Sequence, residues 1–140
     1  MNDEYSVVLS KLVEKMKLEN CTPEIDTGNI FINKPDINRP ALQLAGFMED
    51  FDNERIQIIG NVEHSYLLRQ SNREEIYERF LSSGIPCVIL CNGFELEQSL
   101  IDNAVKYQVP ILRTGKTTSS LMAEVIRWLN VELAPTMTIH

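Results

Sequence analysis

Apolar residues recur along this chain at two different spacings, and the changes between them mark out its elements. Val7, Val8, Leu12, Val13 and Met16 fall at helical spacing, which predicts an amphipathic helix over residues 5–19. A polar stretch containing Pro23, Gly28 and Pro35 follows, and within it Ile30-Phe31-Ile32 reads as a short edge strand. Residues 39–46 alternate Ala41 and Gln43 against Leu42 and Leu44, the period of a further strand. The acidic run from Met48 to Glu54 interrupts that alternation, with Phe47 and Phe51 interleaved.

From Arg55 the pattern becomes regular. Residues 55–60 read as a strand, and 61–70 as a short helix that Asn61 is placed to cap. Residues 71–84 predict a helix opened by Ser71 or Asn72, with Ile76, Phe80 and Leu81 on one face and Gly84 as its C-cap. Residues 85–90 form an apolar strand run, and 95–107 a helix burying Leu96, Leu100, Ile101 and Val105. Val109–Leu112 is the next strand. Leu121, Met122, Val125, Ile126 and Leu129 then mark the last long helix.

Nearly all-apolar strands alternating with helices imply crossover units and a parallel sheet covered on both faces. The expected fold is α/β, in three layers, with a mostly parallel sheet flanked by helices and an N-terminal helix beside it. Residues 1–130 read as one domain. After Asn130 the character changes: Pro135 stops any helix, and Met137 and Ile139 alternate against Thr138 and His140 like a strand just begun. Residues 131–140 therefore read as a linker and first strand leading into a domain that the sequence does not contain.

Composition narrows the functions available. The 140 residues are ordinarily globular, 44% hydrophobic and 24% charged, and long enough to bury a core without staples. A formal net charge of -7 argues against nucleic acid, whose phosphates need a basic face. No apolar run approaches the roughly 20 residues of a membrane span. Cys21, Cys87 and Cys91 are odd in number, and the last two lie in an apolar strand run, so they read as buried hydrophobes of a reduced, cytoplasmic protein. His64 and His140 are the only histidines, and no zinc-ligand spacing can be built from them.

Chemistry concentrates near Gly115-Lys116-Thr117, which looks like the second half of a phosphate-binding P-loop. The first glycine of that motif would fall at position 110, where Pro110 has no N–H and a fixed φ. A different anion site is conceivable. Gly60-Asn61, Asn92-Gly93 and Thr114–Thr117 are strand-to-helix junctions on one sheet edge, where ligands of open parallel sheets sit. Asn61, Asn92, Arg113, Thr114, Lys116, Thr117 and Thr118, with Ser119 and Ser120, would suit an anion at a helix N-terminus. The plainer account is that Thr117–Ser120 cap the helix and the basic pair is solvated. Glu49, Asp50, Asp52 and Glu54 lack the spacing of a calcium loop and read as a solvated turn, not a metal site. Phe47, Met48 and Phe51 read either as a docking patch or as core, and His64 as a surface histidine.

Several stretches together resemble the N-terminal domain of bacterial HPr kinase/phosphorylase: residues 38–67, 85–95 and 109–140, with the opening Leu9–Glu19. The similarity runs over nearly the whole chain. It implies an α/β domain similar to one in the muramyl ligases. It implies further a parent enzyme that phosphorylates a serine of HPr, the phosphocarrier of the sugar phosphotransferase system, with ATP or pyrophosphate and Mg. The parent would also reverse that reaction, act in carbon catabolite repression and assemble as a hexamer. The parent's P-loop would lie beyond His140, so this chain is expected to bind no cofactor of its own and to be non-catalytic. His140 matches the histidine that the family places beside the P-loop, where it could exchange a proton with phosphate. Two other roles stay open: a small-anion or phosphometabolite-sensing module at the sheet edge, and a protein-interaction domain.

Overall fold

A computed structural model of the chain describes residues 5–134. In chain order its elements are β1 (Val7–Val8), α1 (Leu9–Met16), β2 (Glu19–Asn20), β3 (Phe31–Ile32) and β4 (Ile37–Asn38). Then come α2 (Ala41–Leu44), β5 (Ile56–Ile59), α3 (Asn61–Leu68) and α4 (Arg73–Leu81). The chain continues with β6 (Val88–Leu90), α5 (Gln98–Tyr107), β7 (Ile111–Arg113) and α6 (Thr118–Glu132). The five-stranded sheet has the order β2-β7-β6-β5-β4. β4, β5, β6 and β7 run parallel, and β2 closes one edge antiparallel to β7.

Both faces of that sheet are covered, as the near-continuous apolar strands require. Ile56 and Ile58 of β5, Ile89 of β6 and Leu112 of β7 pack against Leu9, Leu12 and Met16 of α1 and Leu121, Val125 and Leu129 of α6. Ile59, Val88, Leu90 and Ile111 point the other way, onto Leu67, Ile76, Phe80, Leu100 and Ala104 of α3, α4 and α5. The α/β class and the three layers therefore hold. Each fully buried Leu or Ile contributes about 1.5–3 kcal/mol over its exposed state.

Several boundaries differ from the periodicity. The helix expected over 5–19 is confined to α1. Val7 and Val8 are extended and pair antiparallel with Ile32 and Phe31, so Ile30–Ile32 belongs to a separate two-stranded ribbon and not to the sheet edge. α1 ends at Lys17, which adopts a left-handed φ of 54°. Its N–H bonds Glu14 O, and Leu18 N–H reaches back to Val13 O. That is a Schellman closure without the usual glycine. Gln108, with φ 57°, ends α5 in the same way.

The strand expected over 39–46 is a helix, α2. Pro40 occupies its N-cap, and Gln43 and Leu44 are buried side by side while Leu42 is exposed, so the alternation reflects no pleat. The real strand is β4, just before it. Gln43 turns inward because Asn38 Nδ2 donates both to its Oε1 (3.0 Å) and to Oε1 of Gln57 (2.7 Å). Gln57 is fully buried in β5 and gives its own amide N–H to Arg55 O, so the polar network in this layer is satisfied.

Further along, Asn61 is the first residue of α3, and Gly60 holds the N-cap position. α4 has Ser82, not Gly84, as C-cap, and Gly84 turns the chain just beyond at φ 88°. α5 starts at Gln98, leaving Leu96 in the preceding loop. α6 runs through Glu132 and Leu133 is buried, so the ordered helix passes the expected domain edge at Asn130. Cys87 and Cys91 are buried and unpaired, and burial pushes the Cys87 thiol up to about 12. Among the described residues, no helix is long and apolar enough to cross a membrane.

Candidate functional site

Because β5, β6 and β7 are parallel, their carboxyl ends lie along one edge and deliver Gly60, Asn92 and Thr114 side by side. Gly60 is closely hemmed in by side chains. A Cβ there would stand 2.3 Å from Thr118 Oγ1 and 2.9 Å from Arg39 Nη2. The first turn of α6 therefore rests directly on the backbone at the end of β5. Asn92 follows β6 with φ 61°, and its N–H bonds Lys116 O at 2.9 Å while Gly93 N–H bonds Thr114 O at 2.9 Å. Thr114 is nearly buried, and its Oγ1 accepts the Lys116 N–H (3.2 Å), folding residues 114–116 into a tight turn. Thr117 caps α6 by accepting the Ser120 N–H at 3.3 Å.

These junctions border a groove of about 680 Å³ lined by Arg39, Asn61, Asn92, Thr117, Thr118 and the flank of Met122. Asn92 Nδ2 lies 3.4 Å from Asn61 Oδ1 and 3.5 Å from Thr118 Oγ1. Of the residues expected at an anion edge, Asn61, Asn92, Thr117 and Thr118 thus converge.

Arg113 and Lys116 do not. Arg113 grips Glu19 of β2 with two bonds, 2.9 and 3.0 Å, and donates to Phe94 O, lining a separate depression with Lys17. Lys116 Nζ sits 3.0 Å from both carboxylate oxygens of Glu124, two turns along α6. Pro110 is no part of a loop either. Its carbonyl accepts the Val88 N–H, and the residues after it form strand β7 (Ile111–Arg113) and then the tight turn at Thr114–Lys116.

Two residues central to this edge were missed in the sequence. Glu63 is 2% exposed. Its Oε1 accepts the Gly60 N–H at 2.7 Å, and both oxygens accept from Arg39, at 2.8–3.1 Å. Arg39 Nη1 also faces Met122 Sδ at 3.8 Å. The available signal was Gly60 followed three residues later by Glu63, the spacing of a capping box. Arg39 carried none, since nothing in its neighbourhood announces a partner 24 residues away.

His64 is not a free surface histidine. Its ring stacks on Phe94 with centroids 3.8 Å apart and planes 9° from parallel, and burial lowers its pKa below the usual imidazole value. The aromatic patch is divided: Phe47 is 66% exposed, whereas Phe51 packs on the α3–α5 core. Asp52 and Glu54 lie near Lys34, and Asp52 also pairs with Arg55. Among the described residues no three His, Cys, Asp or Glu side chains gather as metal ligands. His140 and the strand expected to begin at Met137 lie outside the described residues.

The geometry defines a doubly covered α/β domain whose carboxyl edge is braced by its own ion pairs and hydrogen bonds. The chain belongs to the family described as HPr serine kinase N terminus, which it matches over residues 7–129. Among curated relatives, it is 55% identical to HPr kinase/phosphorylase of Lachnoclostridium phytofermentans, over 97% of this chain and 45% of that protein. The HPr kinase/phosphorylase of Alkaliphilus metalliredigens is 43% identical over 96% of this chain and 44% of its own length. The chain therefore spans a little under half the length of the curated relatives it matches.

One solved structure shares the fold, with a TM-score of 0.61 at 12% identity over 94% of this chain and 52% of that one. It contains the CBS and DRTGG domains of the regulatory region of Clostridium perfringens pyrophosphatase, complexed with the activator diadenosine tetraphosphate.

Proposed function

We propose that this chain acts as the non-catalytic N-terminal domain of an HPr kinase/phosphorylase, in a support, assembly or regulatory role. The observation that carries the reading is the match over nearly all of this chain to the smaller part of enzymes so named. In this reading the parent transfers phosphate from ATP or pyrophosphate, with Mg, to a serine of HPr, and reverses that transfer. It works in the cytoplasm as part of carbon catabolite repression, and this domain contributes to its hexamer. His140 would join the parent's active site, with its partners on the other domain.

The edge geometry supports a non-catalytic role. A P-loop wraps phosphates with a run of free backbone N–H groups and a free lysine. Here the corresponding stretch is strand β7 followed by a tight turn, and Lys116 is held by Glu124. An anion-sensing role at the same edge would require drawing Arg113 or Lys116 out of an ion pair. A protein-interaction role would rest on Phe47 and Leu42, both well exposed.

The decisive assay is phosphate transfer from radiolabelled ATP, or from pyrophosphate, to HPr by this chain. No labelled Ser-HPr is expected, and stoichiometric labelling would overturn the reading. Isothermal titration with inorganic phosphate and nucleotides is expected to be silent, and a saturable heat would favour the sensor.

A further inference from the structure

The sheet face opposite α1 and α6 is covered, yet its helices leave a pocket at one end. Between β5 and β6 on one side and α3, α4 and α5 on the other lies a cavity of about 420 Å³. That falls within the range of about 300–1,000 Å³ usual for small-molecule sites. Its wall is apolar, formed by Ile59, Leu67, Tyr77, Phe80, Leu90 and Leu100. Protein interiors leave few voids larger than a water molecule, because atoms facing a void forfeit their dispersion contacts. A pocket of this size, open at one mouth and lined by large apolar side chains, has room for a small molecule. Around it α4 packs mainly on α5, and α2 touches both α3 and α4.

The mouth is built by the loop between β6 and α5. Asn92 and Gly93 both take positive φ, 61° and 64°, and swing the following residues over the opening. Phe94 lands on the His64 ring, and Glu97 meets the Arg73 guanidinium in bonds of 2.9–3.1 Å. Tyr77 adds a phenol held protonated by burial first and by its hydrogen bond to Glu97 second. The rim thus carries two carboxylates, Glu95 and Glu97, against one guanidinium, Arg73. Glu95 is exposed and has no ion pair among the described residues. A carboxylate head would be repelled at this rim, whereas an ammonium would be attracted and leave an apolar body to fill the space within.

We propose that this cavity is a binding site for a small primary amine with an apolar body, seated between α3, α4 and α5 with its ammonium at Glu95 and Glu97. The site is separate from the edge groove and does not depend on the parent enzyme's activity. It is tested by titrating the isotopically labelled 140-residue chain with 2-phenylethylamine and, separately, with 3-phenylpropanoate, following amide shifts. Saturable shifts confined to residues 64–68, 73–80 and 95–100 are expected with the amine. Affinity for the carboxylate should be weaker by roughly fivefold or more.

Leu96→Trp, which places an indole in the mouth, should weaken the amine by at least about tenfold. Because that change could disturb the loop, Glu95→Gln at an exposed position is read beside it and should weaken the amine by roughly threefold. Absence of saturable shifts at the cavity with the amine overturns the proposal. So does equal binding of the carboxylate, or amine binding unchanged in both variants.

Discussion

The groove at the carboxyl edge and the cavity beneath α3–α5 lie at the same end of one sheet, yet they are finished in opposite ways. The charged side chain that lines the groove, Arg39, is already partnered by Glu63, and the basic groups expected beside it, Arg113 and Lys116, are held by Glu19 and Glu124. At the cavity the polar rim is paired only in part, and the apolar wall leaves a pocket open at one mouth. Position in the fold alone would have favoured the groove as the ligand site, since open parallel sheets place ligands there. The comparison teaches that a site is marked by what remains unsatisfied, not by topology.

The largest effect should come from removing the buried charge that braces Arg39 beside the groove. Glu63→Ala would leave the Gly60 N–H and the Arg39 guanidinium without their acceptor in a buried setting. Breaking a buried pair costs about 3–5 kcal/mol, and Arg39 is one-third exposed, so a loss of about 2–4 kcal/mol is expected in urea unfolding. The Glu63→Ala/Arg39→Ala double variant should lose less than the sum of the singles. Simple additivity would mean that the pair does not hold the edge together, and the contrast with the cavity would weaken.

Gly60→Ala comes next. The new methyl would press on the Thr118 side chain and on Arg39 Nη2, so both must shift to admit it. A cost of about 1–3 kcal/mol is expected from overpacking. A neutral result would show that the edge gives way easily and could open to admit a ligand after all.

How much of this was legible in the sequence follows the same division. β5, β6, β7, α4 and α6 were plain because their apolar runs are long and bounded by Asn, Gly or Thr. The short elements were not. β2 and β4 have two residues each, too few for any period to register. α2 imitated a strand because Gln43, a polar residue, is buried to meet Asn38. The ends of α1 and α5 carry Lys17 and Gln108 where a glycine would have announced the stop.

At the candidate site, Asn61, Asn92, Thr117 and Thr118 could be grouped from the strand-to-helix rhythm alone. The commitment of Arg113 to Glu19 and of Arg39 to Glu63 could not, because those partners lie 94 and 24 residues apart. The cavity left no sequence signal either, since Leu67, Phe80 and Leu100 look like any core residues.

The roof of the cavity offers a pH test. Burial lowers the His64 pKa, so the folded protein resists the proton that the unfolded chain accepts. The His64 contribution is therefore fully present above the unfolded value of about 6.5 and declines as pH falls from there towards the folded value. Melting temperature should drop between pH 7.5 and 5.5, and the drop should be smaller in His64→Phe, which keeps an aromatic ring against Phe94. An unchanged pH profile would mean that the ring is as well solvated as in the unfolded chain and that the roof stands open.

Lys116→Ala should do least, and that is its value. Both members of the Lys116–Glu124 pair are between one-third and two-fifths exposed, a setting in which ion pairs contribute roughly 0–1 kcal/mol. The turn does not need the side chain, because Thr114 Oγ1 accepts the Lys116 N–H and Asn92 N–H donates to the Lys116 carbonyl. Both bonds use only the backbone of Lys116 and survive truncation of its side chain. Stability should therefore shift by no more than about 0.5 kcal/mol in urea unfolding. A P-loop lysine would be felt through its ligand and not through the fold, so the variant is also titrated with inorganic phosphate beside the parent chain. A phosphate affinity present in the parent chain and abolished by Lys116→Ala would mean that the ammonium leaves Glu124 to meet an anion, and the groove would regain the role its topology suggests.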